Sequence, residues 1–287
     1  MDKWVIFRTS VDNLLKQGQS YHEVKKKWKA ITQEFKNYRP NHLSSLLMLL
    51  DKSKSKLNIK ILDHGCGSGL TLFFLAAKGY KNIWGVDVDN TQKFLIRKKA
   101  ANKILKIILE SKEDRITNYN GKKTDFDNAS FDYIFSQQVI EHVQSNLLDS
   151  YILEEQRILK KNGFALHQIP HRLGPFEGHT KRWFIHWLPS RIYHFILKND
   201  IQKLHLVQNA LFLRWPWELK TCFKKYFKSV NNLVSARLKD DVFSEEYSTK
   251  ERLLRKVIIF LFKLPIVGKL FLRLLSIFFQ LELFVQK

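Results

Sequence analysis

The alternation of apolar and polar positions divides the chain into a central region of strands and helices with helical segments on either side. In residues 1–57, apolar side chains recur at the spacing of one helix face. This spacing is shown by Val24, Trp28, Ile31 and Phe35. Pro40 ends this helix, and Asn41 is expected to cap a shorter helix before the first strand. We therefore expect a helical N-terminal extension over residues 1–57.

Short apolar runs alternate with helical patterns from residue 58 to about residue 172. The strand candidates are 59–65, 82–89, 115–119, 131–137 and 163–170. The helix-like segments between them lie near 69–78, 91–112 and 141–160. This alternation predicts an α/β fold: a Rossmann-like, doubly wound, mostly parallel sheet with helices on both faces. In such sheets, ligands bind at the carboxyl ends of the strands.

The remainder of the chain is less regular. Residues 171–215 are rich in His, Trp, Gly and Pro, and we interpret them as a lid or substrate-binding insertion in a core that spans 58–240. The segment 217–227 has a helical pattern, and 230–238 has a strand pattern. Residues 241–287 are expected to form a basic amphipathic helical addition followed by a final strand.

Composition adds constraints on location and on partners. The formal net charge is +22, carried by 49 basic residues that are mostly lysine and are scattered along the chain. Such a charge permits binding to nucleic acid or to an anionic membrane surface. Alternatively, the dispersed charge has no functional role, and in either case it does not bear on the fold. With only two cysteines and no apolar core of a signal peptide near the start, a cytoplasmic protein is expected.

Candidate chemistry is concentrated in the segment ILDHGCGSGL, where three glycines follow the first strand. Gly65, Gly67 and Gly69 stand at alternate positions, and a helix pattern begins at Leu70. Glycines here let the backbone approach a ligand, and the helix N-terminus offers unpaired N–H groups. The dinucleotide fingerprint G-x-G-x-x-G requires a glycine where this chain has Leu70.

Two carboxylates indicate which ligand the loop would hold. Asp63 lies on the strand just before the loop, where it would repel a pyrophosphate and suit a cationic amino group. Asp87 ends the second strand, 20 residues after Gly67, where a carboxylate can bind ribose hydroxyls. Together they predict a ligand with a ribose and a cationic end, and without phosphate.

These features, in this order, resemble the class I S-adenosylmethionine-dependent methyltransferases. The matching segments are ILDHGCGSG, GVDVD, DNASFDYIFSQQVIEHV and EEQRILKKNGFALHQIP, and the resemblance covers residues 41–172 well. The chain is similar in particular to members associated with bacterial surface-polysaccharide and lipid-glycan biosynthesis. The resemblance implies an enzyme with S-adenosyl-L-methionine as cofactor.

The resemblance also implies roles for individual residues. Asp63 and the loop from Gly65 through Cys66 and Gly67 to Gly69 would hold the methionine moiety, and Asp87 the ribose. Val88 would line the adenine, near Asn120 or Gly121, where the family often has an acidic residue. Gln137, at the end of the fourth strand, would lie beside the sulfonium or simply cap the strand. The cofactor-binding candidates are thus Asp63, Gly65, Cys66, Gly67, Gly69, Asp87, Val88, Asn120, Gly121 and Gln137.

Transfer to an oxygen nucleophile usually needs a base, and histidine suits that role near neutral pH. We choose His179 as the first candidate and His171 as the second, because both lie in or beside the insertion. Some family members bind a divalent metal through E-x-x-E-H and a further ligand. Here Gln138 replaces the first acid and leaves Glu141 and His142, so no metal is predicted.

The C-terminal segment and the insertion bear on the acceptor. Residues 250–280 are basic and apolar, with an arc of cations, and are expected to lie in an anionic membrane interface or to cap the core. Trp183 and Trp187 are expected to stack on sugar faces or to anchor the lid. We therefore expect O-methylation of a small-molecule or lipid-linked glycan acceptor, peripheral to the inner face of the cell membrane. A quinone-like lipid and RNA are the alternative acceptors.

Overall fold

The protein is described here from a computed structural model, over residues 2–52, 58–239 and 276–287. The strands are β1 (Ile61–His64), β2 (Ile83–Asp87), β3 (Ile116–Asn118), β4 (Phe131–Gln137), β5 (Leu159–Ile169), β6 (Phe176–Glu177), β7 (Arg182–Trp183), β8 (Ser229–Asn232) and β9 (Leu281–Gln286). The helices are α1 (Lys3–Leu14), α2 (Tyr21–Glu34), α3 (Ser44–Asp51), α4 (Leu70–Ala77), α5 (Gln92–Leu109), α6 (Ser145–Ile158), α7 (Ser190–Leu197), α8 (Ile201–Asn209), α9 (Pro216–Lys224) and α10 (Val234–Lys239). Short 3₁₀ turns cover Asn41–Leu43, Ile140–His142 and Ile185–Trp187.

Seven of the strands form one sheet, in the order β3-β2-β1-β4-β5-β9-β8. The first five pair in parallel, whereas β9 runs antiparallel between β5 and β8. The prediction of a Rossmann-like, mostly parallel sheet with helices on both faces is confirmed. The strand order reverses between β1 and β4, and this switch point is where ligands bind in sheets of this kind.

The alternation of side chains along the strands produces two apolar layers. On β1, Ile61 belongs to the layer that α1 to α5 cover, and Leu62 belongs to the layer beneath α6 and α9. The three N-terminal helices are therefore part of the main core and do not form a separate lobe. Their contribution includes Phe7, which is fully buried and packs its ring edge-to-face against Phe74 of α4.

The helical pattern of the N-terminal region has the expected buried face, since Val24, Trp28 and Ile31 of α2 are all buried. The predicted cap at Asn41 is wrong. Pro40, with an extended backbone, precedes the 3₁₀ turn, Asn41 is the first residue inside that turn, and no side chain caps it.

The prediction of one strand over 230–238 is also wrong. The strand β8 ends at Asn232, whose side-chain oxygen accepts hydrogen bonds from the N–H groups of Val234 and Glu282. This side chain turns the backbone away from the sheet, and α10 begins at Val234. A short run with valine and leucine fits a strand and a buried helix equally well, so the local pattern did not separate them.

The insertion at 171–215 contains a two-stranded antiparallel ribbon, β6 with β7, followed by α7 and α8. The predicted final strand is β9. Most of the predicted amphipathic segment 250–280 lies outside the described residues, as does 241–249. No helix within the described ranges is long and apolar enough to cross a membrane.

Candidate active site

The glycine loop lies at the carboxyl end of β1, directly at the switch point. Gly65 has a φ of +84°, and a Cβ placed there would lie 2.2 Å from Cγ2 of Val139, so this position requires glycine. Gly67 has a φ of +50°, and a Cβ there would meet no heavy atom within 4 Å. The loop therefore packs tightly against the segment after β4 and leaves open space beside Gly67 for a ligand.

The remaining loop residues shape this turn. The N–H groups of Gly65 and Cys66 both donate to the carbonyl oxygen of Val86, and the N–H of Gly69 donates to the carbonyl oxygen of Cys66. The Cys66 thiol is buried against Gly85 of β2. Cys66 thus shapes the loop through its backbone, and its thiol faces the sheet.

Asp63 is the last acidic side chain before the loop and is only 4% exposed. Burial, together with the charge of Asp87, raises its pKa to about 7, and a hydrogen bond from the Thr71 hydroxyl opposes part of this increase. No ion pair is formed by Asp63 among the described residues. A cationic group bound here would compensate the cost of the ionised carboxylate.

Asp87 ends β2 and faces the same loop. Its Oδ2 accepts a hydrogen bond from the Gly67 N–H at 2.7 Å, and its Oδ1 accepts one from the Asp89 N–H at 3.0 Å. These bonds orient the carboxylate toward the loop and leave lone pairs for further donors. Two carboxylates around a glycine-lined space fit the ammonium and ribose hydroxyls of S-adenosyl-L-methionine.

The residues predicted on the adenine side lie together, but they do not contribute equally. Val88 is 51% exposed, and Gly121, with a φ of +78°, would place a Cβ 3.6 Å from Cγ1 of Val88. The side-chain oxygen of Asn120 accepts from the N–H groups of Lys122 and Lys123. Asn120 therefore stabilises its own turn, which leaves only its amide N–H groups for a ligand.

The end of β4 carries an unusual backbone conformation. Gln137 is half-buried at the strand terminus, and Gln138, which follows it, has a φ of +54°. A non-glycine residue in this left-handed region is strained and needs surrounding structure to hold it. Here the Gln138 N–H donates to the carbonyl oxygen of Gln168 on β5. The strained turn directs the following segment, including Val139, back against the glycine loop.

Immediately after this turn, three side chains from two distant segments converge. Glu141 and His142 belong to the 3₁₀ turn after β4, and His179 belongs to the loop between β6 and β7. Their potential ligand atoms all lie within 4.8 Å of one another. We call this group the Glu141–His142–His179 cluster. The first-choice base, His179, is thus part of a constellation with the two residues that the sequence reasoning set aside.

Glu177 holds His179 in place. Its Oε1 accepts hydrogen bonds from Nδ1 of His179 at 2.7 Å and from the backbone N–H of His179 at 2.9 Å, and its Oε2 accepts one from the Thr180 N–H. Burial raises the pKa of Glu177, but these hydrogen bonds outweigh burial and bring it to about 2. The ionised carboxylate in turn raises the pKa of His179.

His171 does not fit the role of general base. It is buried, its Nε2–H donates to the carbonyl oxygen of Phe279 at 2.6 Å, and its Nδ1 accepts from the Leu173 N–H at 3.2 Å. Both ring nitrogens are therefore used to fasten the start of the insertion to the segment before β9. The sequence could not show this, because Phe279 lies more than a hundred positions away.

Besides Glu177, sequence reasoning missed Thr71 and Val139 as contributors to the site. Thr71 donates to Asp63 from the first turn of α4, and a hydroxyl residue at a helix start is a recognisable signal. Val139 supplies the surface against which Gly65 packs. No local pattern identifies that contact, since it depends on how β4 meets β1.

Part of the chain is similar in sequence to known proteins. Residues 62–167 match the family model described as "Methyltransferase domain". A curated ubiquinone biosynthesis O-methyltransferase of Pelagibacter ubique is 31% identical over 106 residues, which cover 37% of this chain and 40% of that protein. The cyclopropane-fatty-acyl-phospholipid synthase of Escherichia coli is 28% identical over 127 residues, or 44% of this chain and 30% of that protein. The chain thus spans less than half the length of these two curated relatives.

Among solved structures, a SAM-dependent methyltransferase from Archaeoglobus fulgidus aligns with a TM-score of 0.47 at 15% identity, over 88% of this chain and 97% of that one. The match of residues 62–167 to a methyltransferase domain, together with the sheet, supports the coarser predictions of an enzyme that uses S-adenosyl-L-methionine as its cofactor. The individual cofactor and base residues stay predictions.

Proposed function

We propose that the chain transfers the methyl group of S-adenosyl-L-methionine to an oxygen atom of an amphiphilic acceptor, a lipid-linked saccharide, at a membrane surface. The observation that carries this proposal is the arrangement at the switch point. A cofactor space with two carboxylates adjoins the Glu141–His142–His179 cluster, and the contact between Gly65 and Val139 joins the two.

In the proposed complex, Asp63 binds the cofactor's amino group, and the backbone from Gly65 to Gly69 holds the methionine moiety. Asp87 binds the ribose, and Val88 and Gly121 flank the adenine. The burial of Asp63 without a cationic partner among the described residues supports the first assignment, because a cation is what such a carboxylate lacks. Gln137 would lie nearest the sulfonium.

Methyl transfer requires an acceptor oxygen in line with the methyl carbon and the sulfur. The oxygen forms a bond to the methyl carbon while the carbon–sulfur bond breaks, and the electron pair of that broken bond goes to sulfur to give S-adenosylhomocysteine. The acceptor hydroxyl must lose its proton as this happens. The cluster supports an oxygen acceptor, because it groups proton-binding side chains next to the proposed methionine end of the cofactor space.

The surface of the insertion supports an amphiphilic acceptor. Many of its large apolar side chains are exposed, including Trp183 at 65% and Phe195 at 68%. Others in the same segment are Phe176, Phe184, Trp187, Ile192, Ile196 and Ile201. Exposed cations lie among them: Arg172, Lys181, Arg182, Arg191 and Lys198. Aromatic and basic residues together suit the interface of an anionic bilayer, where a lipid-linked substrate would be met.

A quinone-like lipid is the second candidate acceptor. The match to ubiquinone biosynthesis O-methyltransferases favours it, and these enzymes share up to 31% identity with part of this chain. Both candidates are oxygen acceptors attached to a lipid, so they place the same demands on the cluster and on the insertion. In either case we propose a protein peripheral to the inner face of the cell membrane, with 250–280 as a second membrane contact.

The cofactor part is tested by calorimetry with S-adenosyl-L-methionine. We expect one site per chain in the unaltered protein and at least a tenfold weaker site in Asp87→Ala. Asp125→Ala, which removes an exposed carboxylate, is the matched control. Absence of binding by the unaltered protein, or equal affinity in Asp87→Ala, would reject the cofactor assignment.

The acceptor part is tested with methyl-labelled cofactor and three acceptor sets: lipid-linked saccharides, quinone-like phenols and bulk RNA. We expect label in the first set.

Flotation with anionic vesicles should show weaker recovery of Trp183→Ser than of Trp217→Ser, because Trp217 is a comparably exposed tryptophan outside the insertion. Label in RNA alone, with binding that falls steeply with salt, would replace the lipid proposal.

A further inference from the structure

The Glu141–His142–His179 cluster has an internal conflict that a bound cation would resolve. Nε2 of His142 and Nε2 of His179 face each other at 3.1 Å. Two ring nitrogens at this distance need a proton or another cation between them, because two lone pairs repel.

The other ring nitrogens decide which atoms carry protons. Nδ1 of His142 lies 2.5 Å from the carbonyl oxygen of Ala210, and Nδ1 of His179 lies 2.7 Å from Oε1 of Glu177. Both oxygens are acceptors, so both Nδ1 atoms must carry the hydrogen. In the neutral rings this leaves a lone pair on each Nε2 atom, and these two atoms lie 3.1 Å apart. A histidine that donates Nδ1–H to a carbonyl or carboxylate while Nε2 faces inward is the usual arrangement around a protein-bound metal.

Glu141 adds a third donor. Its side chain is 1% exposed, and neither carboxylate oxygen has a hydrogen-bond partner among the described residues. A buried carboxylate without a partner is costly, and its placement beside the two imidazoles calls for a positive charge. The described residues supply no lysine or arginine ion pair to it.

We propose that Glu141, His142 and His179 form a binding site for one divalent transition-metal ion of the zinc class. Two nitrogens that each bind an ion at about 2.1 Å lie about 3.0–3.4 Å apart, which matches the observed 3.1 Å. Two imidazoles and one carboxylate suit zinc, iron, cobalt or nickel better than calcium or magnesium, which prefer oxygen ligands. Three protein ligands leave a position open, as in catalytic sites.

This ligand set replaces the prediction that the chain binds no metal. That prediction rested on Gln138, which stands where an acid would be required in E-x-x-E-H. The structure makes Gln138 exposed and outside the cluster, and the third donor comes from the insertion instead. Residue 179 is 37 positions from residue 142, so the motif spacing along the chain could not reveal it.

The catalytic use of the site rests on the proposed function. The open position would take the acceptor oxygen, lower the pKa of its hydroxyl and hold the resulting oxyanion for attack on the methyl carbon, while the proton passes to water. Val139 lies between the cluster and the glycine loop and packs against Gly65. The ion would therefore lie on the methionine side of the cofactor. Glu177 is then a positioning residue that orients His179.

Metal binding is tested on the full chain, without cofactor or acceptor. The protein is stripped with a chelator and titrated with Co²⁺, and the visible absorption of the bound ion is recorded, followed by competition with Zn²⁺. We expect one Co²⁺ per chain, displaced by one equivalent of Zn²⁺. Absence of a saturable signal in the unaltered protein would overturn the inference.

Variants then test the ligand set. His179→Ala and Glu141→Gln should weaken Zn²⁺ binding at least 100-fold, and Glu177→Gln about 10–100-fold, as expected for the loss of an orienting partner. His205→Ala, an exposed histidine of α8, is the matched control and should bind as the unaltered protein does. Unchanged affinity in His179→Ala would overturn the assignment. Calorimetry with S-adenosyl-L-methionine on the same samples separates the two ideas, because metal binding without cofactor binding rejects only the proposed function.

Discussion

Replacing Asp63 by asparagine should make the cofactor-free protein more stable while it weakens cofactor binding. The side chain is 4% exposed, and burial, together with the charge of Asp87, raises its pKa from the ordinary 3.8 to about 7. In the unfolded chain the carboxyl ionises near its ordinary value. The native protein without cofactor therefore binds a proton that the unfolded chain releases, and it loses stability as the pH rises from about 4 to 7.

The size of the effect follows from the two pKa values. A difference of about three pKa units corresponds to about 4 kcal/mol of unfolding free energy at pH 8 and to about 1 kcal/mol at pH 4.5. These are upper limits, because the loop can relax around the charge. The Asp63→Asn change would keep an oxygen for the Thr71 hydroxyl and remove the ionisable group. We expect a gain of about 2–4 kcal/mol at pH 8 and of at most about 1 kcal/mol at pH 4.5.

Urea unfolding at both pH values, followed by circular dichroism, measures this difference. Asp125→Asn, the same change at an exposed position, should alter stability by less than about 0.5 kcal/mol. In parallel, calorimetry should show S-adenosyl-L-methionine binding that is weaker by about 10–100-fold in Asp63→Asn, since a charged hydrogen bond is worth about 1.5–3 kcal/mol. An equal change in stability at both pH values would refute the reasoning, because the destabilisation caused by Asp63 would then not arise from ionisation of its carboxyl group.

Two further predictions concern the glycine loop and the buried polar group beneath it. Gly65→Ala should destabilise the protein by at least about 2 kcal/mol in thermal or urea unfolding, because its Cβ would lie 2.2 Å from Val139. Adding Val139→Ala should recover part of the lost stability. If the double variant recovers none, the clash is not the cause. Glu155 is fully buried and accepts a hydrogen bond from Nδ1 of His64 at 2.8 Å, with Nε2 of His167 3.3 Å away. Glu155→Ala should lower the free energy of unfolding by about 3–5 kcal/mol, because it leaves buried polar groups unpaired, and Glu155→Gln should lower it less. Equal losses of stability in urea unfolding would contradict the view that lost hydrogen bonding causes the destabilisation.

The central sheet and the cofactor loop could be predicted because their requirements are local. Strand-like apolar runs, helix periodicity and the positive φ at Gly65 are properties of neighbouring residues, so β1, β2 and the glycine loop between β1 and α4 follow from short stretches of sequence. The prediction of one strand over 230–238 was wrong because it also rested only on neighbouring residues. At Asn232, one side-chain hydrogen bond decided between strand and helix, and hydropathy does not register such a bond.

The acceptor side of the site could be predicted only in part. His179 was predicted as a candidate base from its place in the insertion, but its proximity to Glu141 and His142 depends on how the insertion folds over the end of β4. His171 appeared equivalent in sequence, and a hydrogen bond to the distant Phe279 removes it from the chemistry.

The sequence by itself determined the α/β class, the sheet built on the Asp63 loop and the preference for a cationic, ribose-containing ligand, because these depend on the steric and electrostatic demands of adjacent residues. The identity of that ligand as a methyl donor came from the family resemblance. Only the tertiary structure decided which polar groups converge. It left Glu141 buried without a hydrogen-bond partner among the described residues and placed two imidazole nitrogens 3.1 Å apart. Convergence of this kind is set by packing between segments far apart in the chain, and that packing is not encoded in any local period.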